Sequence, residues 1–163
     1  MSAIDDVVLA NRRYVERFPG PRPLQPKLKL AIVSCMDSRL DLFGALGLEV
    51  GDAHLLRNAG GLLTDDMLRS LAISQRKLGT REIAIIHHTN CGMDNFDDEA
   101  FRSELAIETD QRPGWNTPGF DDVFAQARRS LDLVRGCGWL PHRDVVRAFV
   151  FDVDTGLLTE ATD

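Results

Sequence analysis

The chain lacks any apolar run approaching the roughly 20 residues that a bilayer-spanning helix needs. It has no basic surplus either. Its formal charge is −6, whereas a nucleic-acid or anionic-membrane partner calls for a positive face. Met1 to Arg12 carries acids early and shows no apolar stretch followed by a small-residue cleavage site, so no signal peptide is read there and the cytoplasm is the expected location. Cysteine is scarce, odd in number and dispersed, with three in the chain. That argues against a disulfide framework and directs attention to thiol or metal chemistry. Repeats, low-complexity tracts and long linkers are absent. So are the G-x-G-x-x-G spacing and the P-loop lysine of nucleotide-binding α/β domains.

What is present is a globular composition, 44% hydrophobic and 27% charged over 163 residues, which suits a single domain spanning 1–163. Residues 3–18 read as an amphipathic helix after Ser2, with Val7, Tyr14 and Phe18 as anchors. Its weak pattern suggests packing on something other than its own core. Gly20-Pro21-Arg22-Pro23 breaks it. Residues 28–34 form a nearly continuous apolar run, as in a strand buried on both faces. A short helix over 40–46 and a strand over 54–57 follow, closed by Asn58-Ala59-Gly60-Gly61.

Thr64 offers an N-cap to a helix over 65–78, with Asp65 and Asp66 at its positive end, Arg76 and Lys77 at its negative end and Gly79 as the stop. Met67, Leu68, Leu71 and Leu78 share one face of it. Residues 83–86 are the clearest buried strand. Helices are expected over 97–109 and 120–135, separated by a Pro/Gly-rich surface loop over 112–119. A strand over 145–153 and a return strand over 157–160 close the chain. Strands alternating with helices imply an α/β fold, with a mostly parallel central sheet covered by helices on both sides and an antiparallel edge from the closing hairpin.

In such sheets function gathers at the carboxyl ends of the strands. The first buried strand ends in Cys35-Met36-Asp37-Ser38-Arg39, and the strongest ends in His87-His88-Thr89-Asn90-Cys91-Gly92. If these strands are neighbours, the clusters meet. Cys35, His88 and Cys91 then form a Cys₂His set, which favours Zn²⁺ and leaves a fourth corner open, as in catalytic rather than structural sites. Zinc brings the pKa of water down to about 7. Cys35, Asp37 and Arg39 alternate, so in extended backbone they project to one side. Asp37 can accept a hydrogen bond from water on the metal, and Arg39 can hold that carboxylate ionised.

His87 competes with His88 as a ligand. The H-x-x-C spacing selects His88, and strand alternation turns His87 away. His54 and His142 read as ordinary histidines, either of which could relay protons. Cys137 reads as structural or incidental. Asn58 to Gly61 is better explained as a helix-entry turn that lets backbones approach closely than as a phosphate loop.

The pair C-x-D-x-R and H-x-x-C, with Arg57-Asn58-Ala59-Gly60 between, resembles the β-class carbonic anhydrases over most of the chain, in particular the compact bacterial members. The resemblance implies one zinc per subunit on Cys35, His88 and Cys91, with Asp37 and Arg39 as an orienting dyad. It also implies sheet order 2-1-3-4 with a further C-terminal strand. Residues 1–26 would be an N-terminal helix and arm lying across the partner in a homodimer or dimer of dimers. The implied activity is reversible hydration of carbon dioxide to bicarbonate and a proton by zinc-bound hydroxide.

Two features depart from parts of the family pattern. Gln25 is one position out of register with a substrate-binding glutamine of plant-type members. Ile32 stands where members with an inhibitory bicarbonate pocket carry tryptophan. Two alternatives remain open: hydrolysis of carbonyl sulfide or carbon disulfide at the same site, and a non-catalytic zinc-braced or redox-sensing dimer.

Overall fold

The computed structural model describes residues 2–162. In chain order the elements are α1 (Ala3–Val15), β1 (Leu30–Cys35), α2 (Leu42–Leu46), β2 (Ala53–Asn58), a single 3₁₀ turn (Ala59–Gly61), α3 (Asp65–Leu78), β3 (Glu82–His88), α4 (Asp98–Thr109), α5 (Val123–Gly136), β4 (Val146–Phe151) and β5 (Leu158–Glu160).

The five strands form one sheet in the order β2-β1-β3-β4-β5. The first four are mutually parallel and β5 pairs antiparallel with β4. This is the α/β architecture and strand order expected, with the closing hairpin as the antiparallel edge. β1 and β3 are neighbours, with Ser34 opposite Ile86, so both metal-type clusters emerge at the same end of the sheet.

Apolar side chains pack on both faces of the central strands. Ala31, Val33, Ile83, Ile85, Ala148 and Val150 meet Met67 and Leu71 of α3 and Ala127, Leu131 and Val134 of α5 in one cluster. Ile32, Ile86 and Phe151 meet Leu40, Leu42, Leu62, Met93 and Phe120 in the other, which also contains Cys35 and Cys91. Burying each Ile or Leu side chain contributes about 1.5–3 kcal/mol relative to leaving it exposed. The ends of β1 and β3 are thus held by apolar packing around the cysteines themselves.

Helix α3 matches its sequence signals residue for residue. The Thr64 side chain accepts from Met67 N, and Gly79 closes the helix in the left-handed region at φ 79°. On its inner face Met67 and Leu71 are buried with Ser74 and Gln75, while Leu68 and Leu78 are only half-buried.

Other boundaries differ for local reasons. α1 ends at Val15 rather than residue 18, because the chain tightens into turns with Arg17 N on Tyr14 O and Phe18 N on Val15 O. β1 starts at Leu30 because Lys29 adopts φ 54°. α5 starts at Val123, where the Asp122 carboxylate caps Phe124 N and Ala125 N. Phe120 lies instead in a parallel bridge with Asp94 and is buried.

Helix α1 is well capped, with Ser2 and Asp5 forming a reciprocal capping box, yet it buries no residue of its own. Ile4, Val7, Val8 and Val15 are exposed along it. No helix among the described residues is long and apolar enough to cross a membrane.

Candidate metal centre

The Sγ atoms of Cys35 and Cys91 and a ring nitrogen of His88 all lie within 4.8 Å of one another, and all three residues are buried. Cys35 is the last residue of β1 and His88 the last of β3. Cys91 follows in a tight turn in which Asn90 takes φ 51° and Asp94 N bonds back to Cys91 O. The sulfurs are 3.9 Å apart.

Close approach of the backbones is secured by Gly61. A Cβ there would sit 2.9 Å from Cys35 N and from the Ser34 carbonyl carbon, and its φ is +64°. The Asn58–Gly61 segment is therefore the close-approach turn expected. The Asn58 side chain closes it, donating to Leu62 O and accepting from Leu62 N, each at 2.8 Å.

The two adjacent histidines have opposite environments. His87 points away from the sulfurs. Its Nδ1 donates to Gly60 O at 3.0 Å, its Nε2 accepts from Ser130 Oγ at 3.0 Å, and its ring meets Phe120 edge-on. Burial pushes its pKa down to about 4. His88 gives its Nδ1 proton to Thr89 O at 2.9 Å, which leaves the lone pair on Nε2. That Nε2 is buried and has no hydrogen-bond partner. An orphaned acceptor facing two thiols is costly unless something electrophilic sits there.

The two sulfurs are within hydrogen-bond reach and either can donate to the other. Their contact pushes the Cys35 pKa down against the opposing effect of burial and, with burial, pushes that of Cys91 up. A divalent cation would satisfy both sulfurs and the His88 nitrogen together. The donor set fits a metal, and its sulfur–nitrogen composition suits zinc.

Beside the donors lies Asp37, with Oδ2 3.9 Å from His88 Nε2. Arg39 grips its carboxylate with two side-chain prongs, Nε to Oδ1 at 3.0 Å and NH2 to Oδ2 at 2.7 Å, while the Arg39 main-chain N–H adds a third bond at 2.9 Å. The side-chain bonds from Arg39 hold the Asp37 carboxyl well below the usual carboxylate range. Arg39 NH2 also donates to Asn90 O at 2.8 Å, tying the turn after β1 to the turn after β3.

All five residues expected at the site converge. Sequence reasoning assigned no role to Arg57, whose guanidinium donates to Cys35 O at 2.7 Å and Asp37 O at 2.6 Å, with a longer contact to Leu40 O at 3.5 Å. It also missed Thr89, whose carbonyl sets the His88 tautomer and whose hydroxyl accepts from Val153 N. Their partners are main-chain groups, which carry no residue-type signal.

The remaining candidates lie elsewhere. The half-buried His54 bonds through Nδ1 to Ser74 Oγ at 2.8 Å. The main chain of His142 is clamped by Gln75. Gln25 packs beside Gly79 past the end of α3, and Ile32 is fully buried in the apolar cluster. Cys137 caps the C-terminus of α5. A surface cleft of about 860 Å³ borders the turn through Asn58, Ala59 and Leu62, but none of the three donors lines it.

A family model described as carbonic anhydrase matches residues 30–108. The beta-carbonic anhydrase 1 of Mycobacterium bovis is 46% identical over 162 residues, 99% of this chain and 99% of its own. A carbon disulfide hydrolase of Acidithiobacillus thiooxidans is 32% identical over 151 residues, covering 80% of this chain and 75% of its own. Among solved structures, a carbonic anhydrase from Streptococcus mutans superposes with a TM-score of 0.91 at 40% identity, covering 99% of both chains.

Proposed function

From the premise that this chain belongs to the β-carbonic anhydrase family, as 46% identity across 99% of its length establishes, we propose that it carries out hydration at Cys35, His88 and Cys91. The enzyme is a carbonate dehydratase: it interconverts carbon dioxide and water with bicarbonate and a proton. The observation that carries the site assignment is the set of three buried donors within 4.8 Å, with an arginine-held carboxylate beside them.

In this reading Cys35, His88 and Cys91 hold one zinc ion per subunit, which supplies Lewis acidity that brings the ionisation of water to about pH 7. Asp37 is kept ionised by Arg39 and acts as an acceptor only. It takes a hydrogen bond from the reacting water and aims the oxygen lone pair at the carbon. His88 keeps its lone pair inward because Thr89 O holds its other proton. Leu40, Leu62, Met93, Phe120 and Phe151 pack with the cysteines, an apolar setting that suits a linear, uncharged substrate. The test is stopped-flow hydration of CO₂ with a pH indicator near pH 8 on zinc-loaded protein. No rate above buffer would refute the assignment.

The resemblance to carbon disulfide hydrolases gives the same site a second reading, as a hydrolase of carbonyl sulfide or carbon disulfide. Sulfide release and CO₂ hydration measured on one preparation separate the two. A non-catalytic or redox-sensing zinc dimer predicts zinc without either activity.

The working unit in this proposal is a homodimer or dimer of dimers, supported by the exposed apolar residues of a helix that buries none of its own. A reducing cytoplasm suits the two thiols at the site. Light scattering across a dilution series tests the assembly.

A further inference from the structure

We propose that Arg57 is a positioning residue for this reaction, holding the main chain of the 35–40 turn so that the Asp37 carboxylate faces the metal donors. The inference rests on the hydration reading above and adds to it, since Arg57 belongs neither to the donor set nor to the Asp37–Arg39 pair.

Arg57 is the next-to-last residue of β2, and the parallel register sets it opposite Ser34. Its side chain therefore starts alongside the end of β1, one residue before Cys35. Nε donates to the carbonyl of Cys35, and NH2 to that of Asp37, with the third prong directed at Leu40 O. Among the described residues it makes no ion pair. Its charge is directed wholly at main-chain oxygens of a single turn.

The other ties on that turn are Met36 N on Asn58 O, Leu40 N closing on Asp37 O at 3.2 Å, the buried Leu40 side chain and Arg39 NH2 on Asn90 O; none of them holds the carbonyls of Cys35 and Asp37 to β2. The contributions of the two arginines are then distinct. Arg39 lies on the same turn as Asp37; it fixes the carboxylate relative to its own backbone and reaches across to Asn90 O after β3. Arg57 comes from β2 and fixes that backbone relative to the sheet that carries the donors.

If Arg57 is lost, the Asp37–Arg39 pair can stay intact while the main chain that carries Asp37 shifts against the sheet. Shifts of about 1 Å in a reacting geometry can cost on the order of a hundredfold in rate. A lysine cannot substitute. Its donors radiate from one nitrogen, whereas the guanidinium spreads them over a planar fork matched to separate acceptors.

The experiment compares wild type, Arg57→Lys and Arg57→Ala, each loaded with zinc and separately with cobalt(II). The expected result is full metal content in all three, with kcat lowered about ten- to a hundredfold in both variants and KM for CO₂ changed far less. The visible spectrum of the cobalt protein should shift, because Asp37 no longer faces the metal in the same way. Methylguanidinium added to Arg57→Ala should restore part of the rate, and methylammonium should not.

The proposal is overturned if the variants keep the wild-type kcat and cobalt spectrum, or if the whole loss is accounted for by lost metal. Should Arg57→Ala fail to fold, Arg57→Lys, which keeps the charge, decides on the same readouts. If wild type itself hydrates no CO₂, the functional reading falls, while the cobalt spectra still judge the role of Arg57.

Discussion

Replacing Gly61 by alanine should damage the metal centre without touching any donor. Its neighbour Gly60 serves as an internal control. Both glycines sit at positive φ, +75° for Gly60 and +64° for Gly61, so alanine at either position incurs the left-handed penalty of roughly 1–2 kcal/mol. They differ in what the new methyl meets. At Gly60 it comes within 2.9 Å of Met93 Cγ and 3.2 Å of Leu62 Cγ, side-chain atoms whose displacement leaves the main chain of β1 in place. At Gly61 it comes within 2.9 Å of Cys35 N and the Ser34 carbonyl carbon, which are main-chain atoms of β1. Ordinary contact starts at 3.4 Å, so β1 or the turn must yield by about half an ångström, a forced repacking that costs about 1–3 kcal/mol more.

At about 2–4 °C per kcal/mol for a chain of this size, Gly60→Ala should lower Tm by a few degrees and Gly61→Ala by on the order of ten. The displacement acts on the strand that carries Cys35, while His88 and Cys91 ride on β3. It therefore alters the donor spacing, and functional geometries tolerate about 0.5 Å at most. Zinc affinity of Gly61→Ala should fall about ten- to a hundredfold, the range seen when support around ligands is removed. Scanning calorimetry gives the first quantity and competition with a chromogenic chelator the second. Equal Tm and equal zinc affinity for the two variants would refute the reasoning, because of the two new methyls only the one at Gly61 meets main-chain atoms of β1.

Cys35→Ser, His88→Gln and Cys91→Ser should each bind less than a tenth of the zinc of wild type (roughly, on the affinity scale above) and show no measurable hydration; metal analysis alongside stopped-flow rates checks this. Arg39→Ala should retain zinc yet lose about ten- to a hundredfold in rate, since Asp37 then loses its two-pronged grip and the tie to Asn90 O. Unchanged rate with unchanged zinc would remove Arg39 from the mechanism. His87 makes acid destabilising. Its folded pKa is about 4 against an ordinary 6.5, so the unfolded chain takes up the proton first and stability falls as pH drops from about 6.5 towards 4. The loss attributable to His87 is on the order of 3 kcal/mol, and the difference between wild type and His87→Gln in urea titrations at several pH values isolates it. Comparable slopes in that window would contradict the buried neutral imidazole.

The donor chemistry and its address in the fold were legible in the residues alone. Continuous apolar strands, the Thr64 cap and the Gly79 stop are local signals, and the strand-end rule turned them into a prediction that Cys35, Asp37, Arg39, His88 and Cys91 meet. Strand alternation even separated His88 from His87, because side-chain direction in a strand is set by backbone geometry and needs no tertiary knowledge. Element ends were less legible. Phe120 reads as the start of a helix but is drawn into the cluster beneath the site, and Lys29 leaves the strand through a backbone angle its residue type does not announce. The role of Arg57, a residue noticed only as part of the stretch between the two motifs, was the least visible of all. Its partners are carbonyl oxygens, identical in every residue, and only the register of β2 against β1 and the curl of the 35–40 turn bring them to one guanidinium. The sequence alone determined which atoms are able to hold a metal; the tertiary structure decided how far apart they are held and by what, since hydrogen bonds to main chain depend on where the backbone runs.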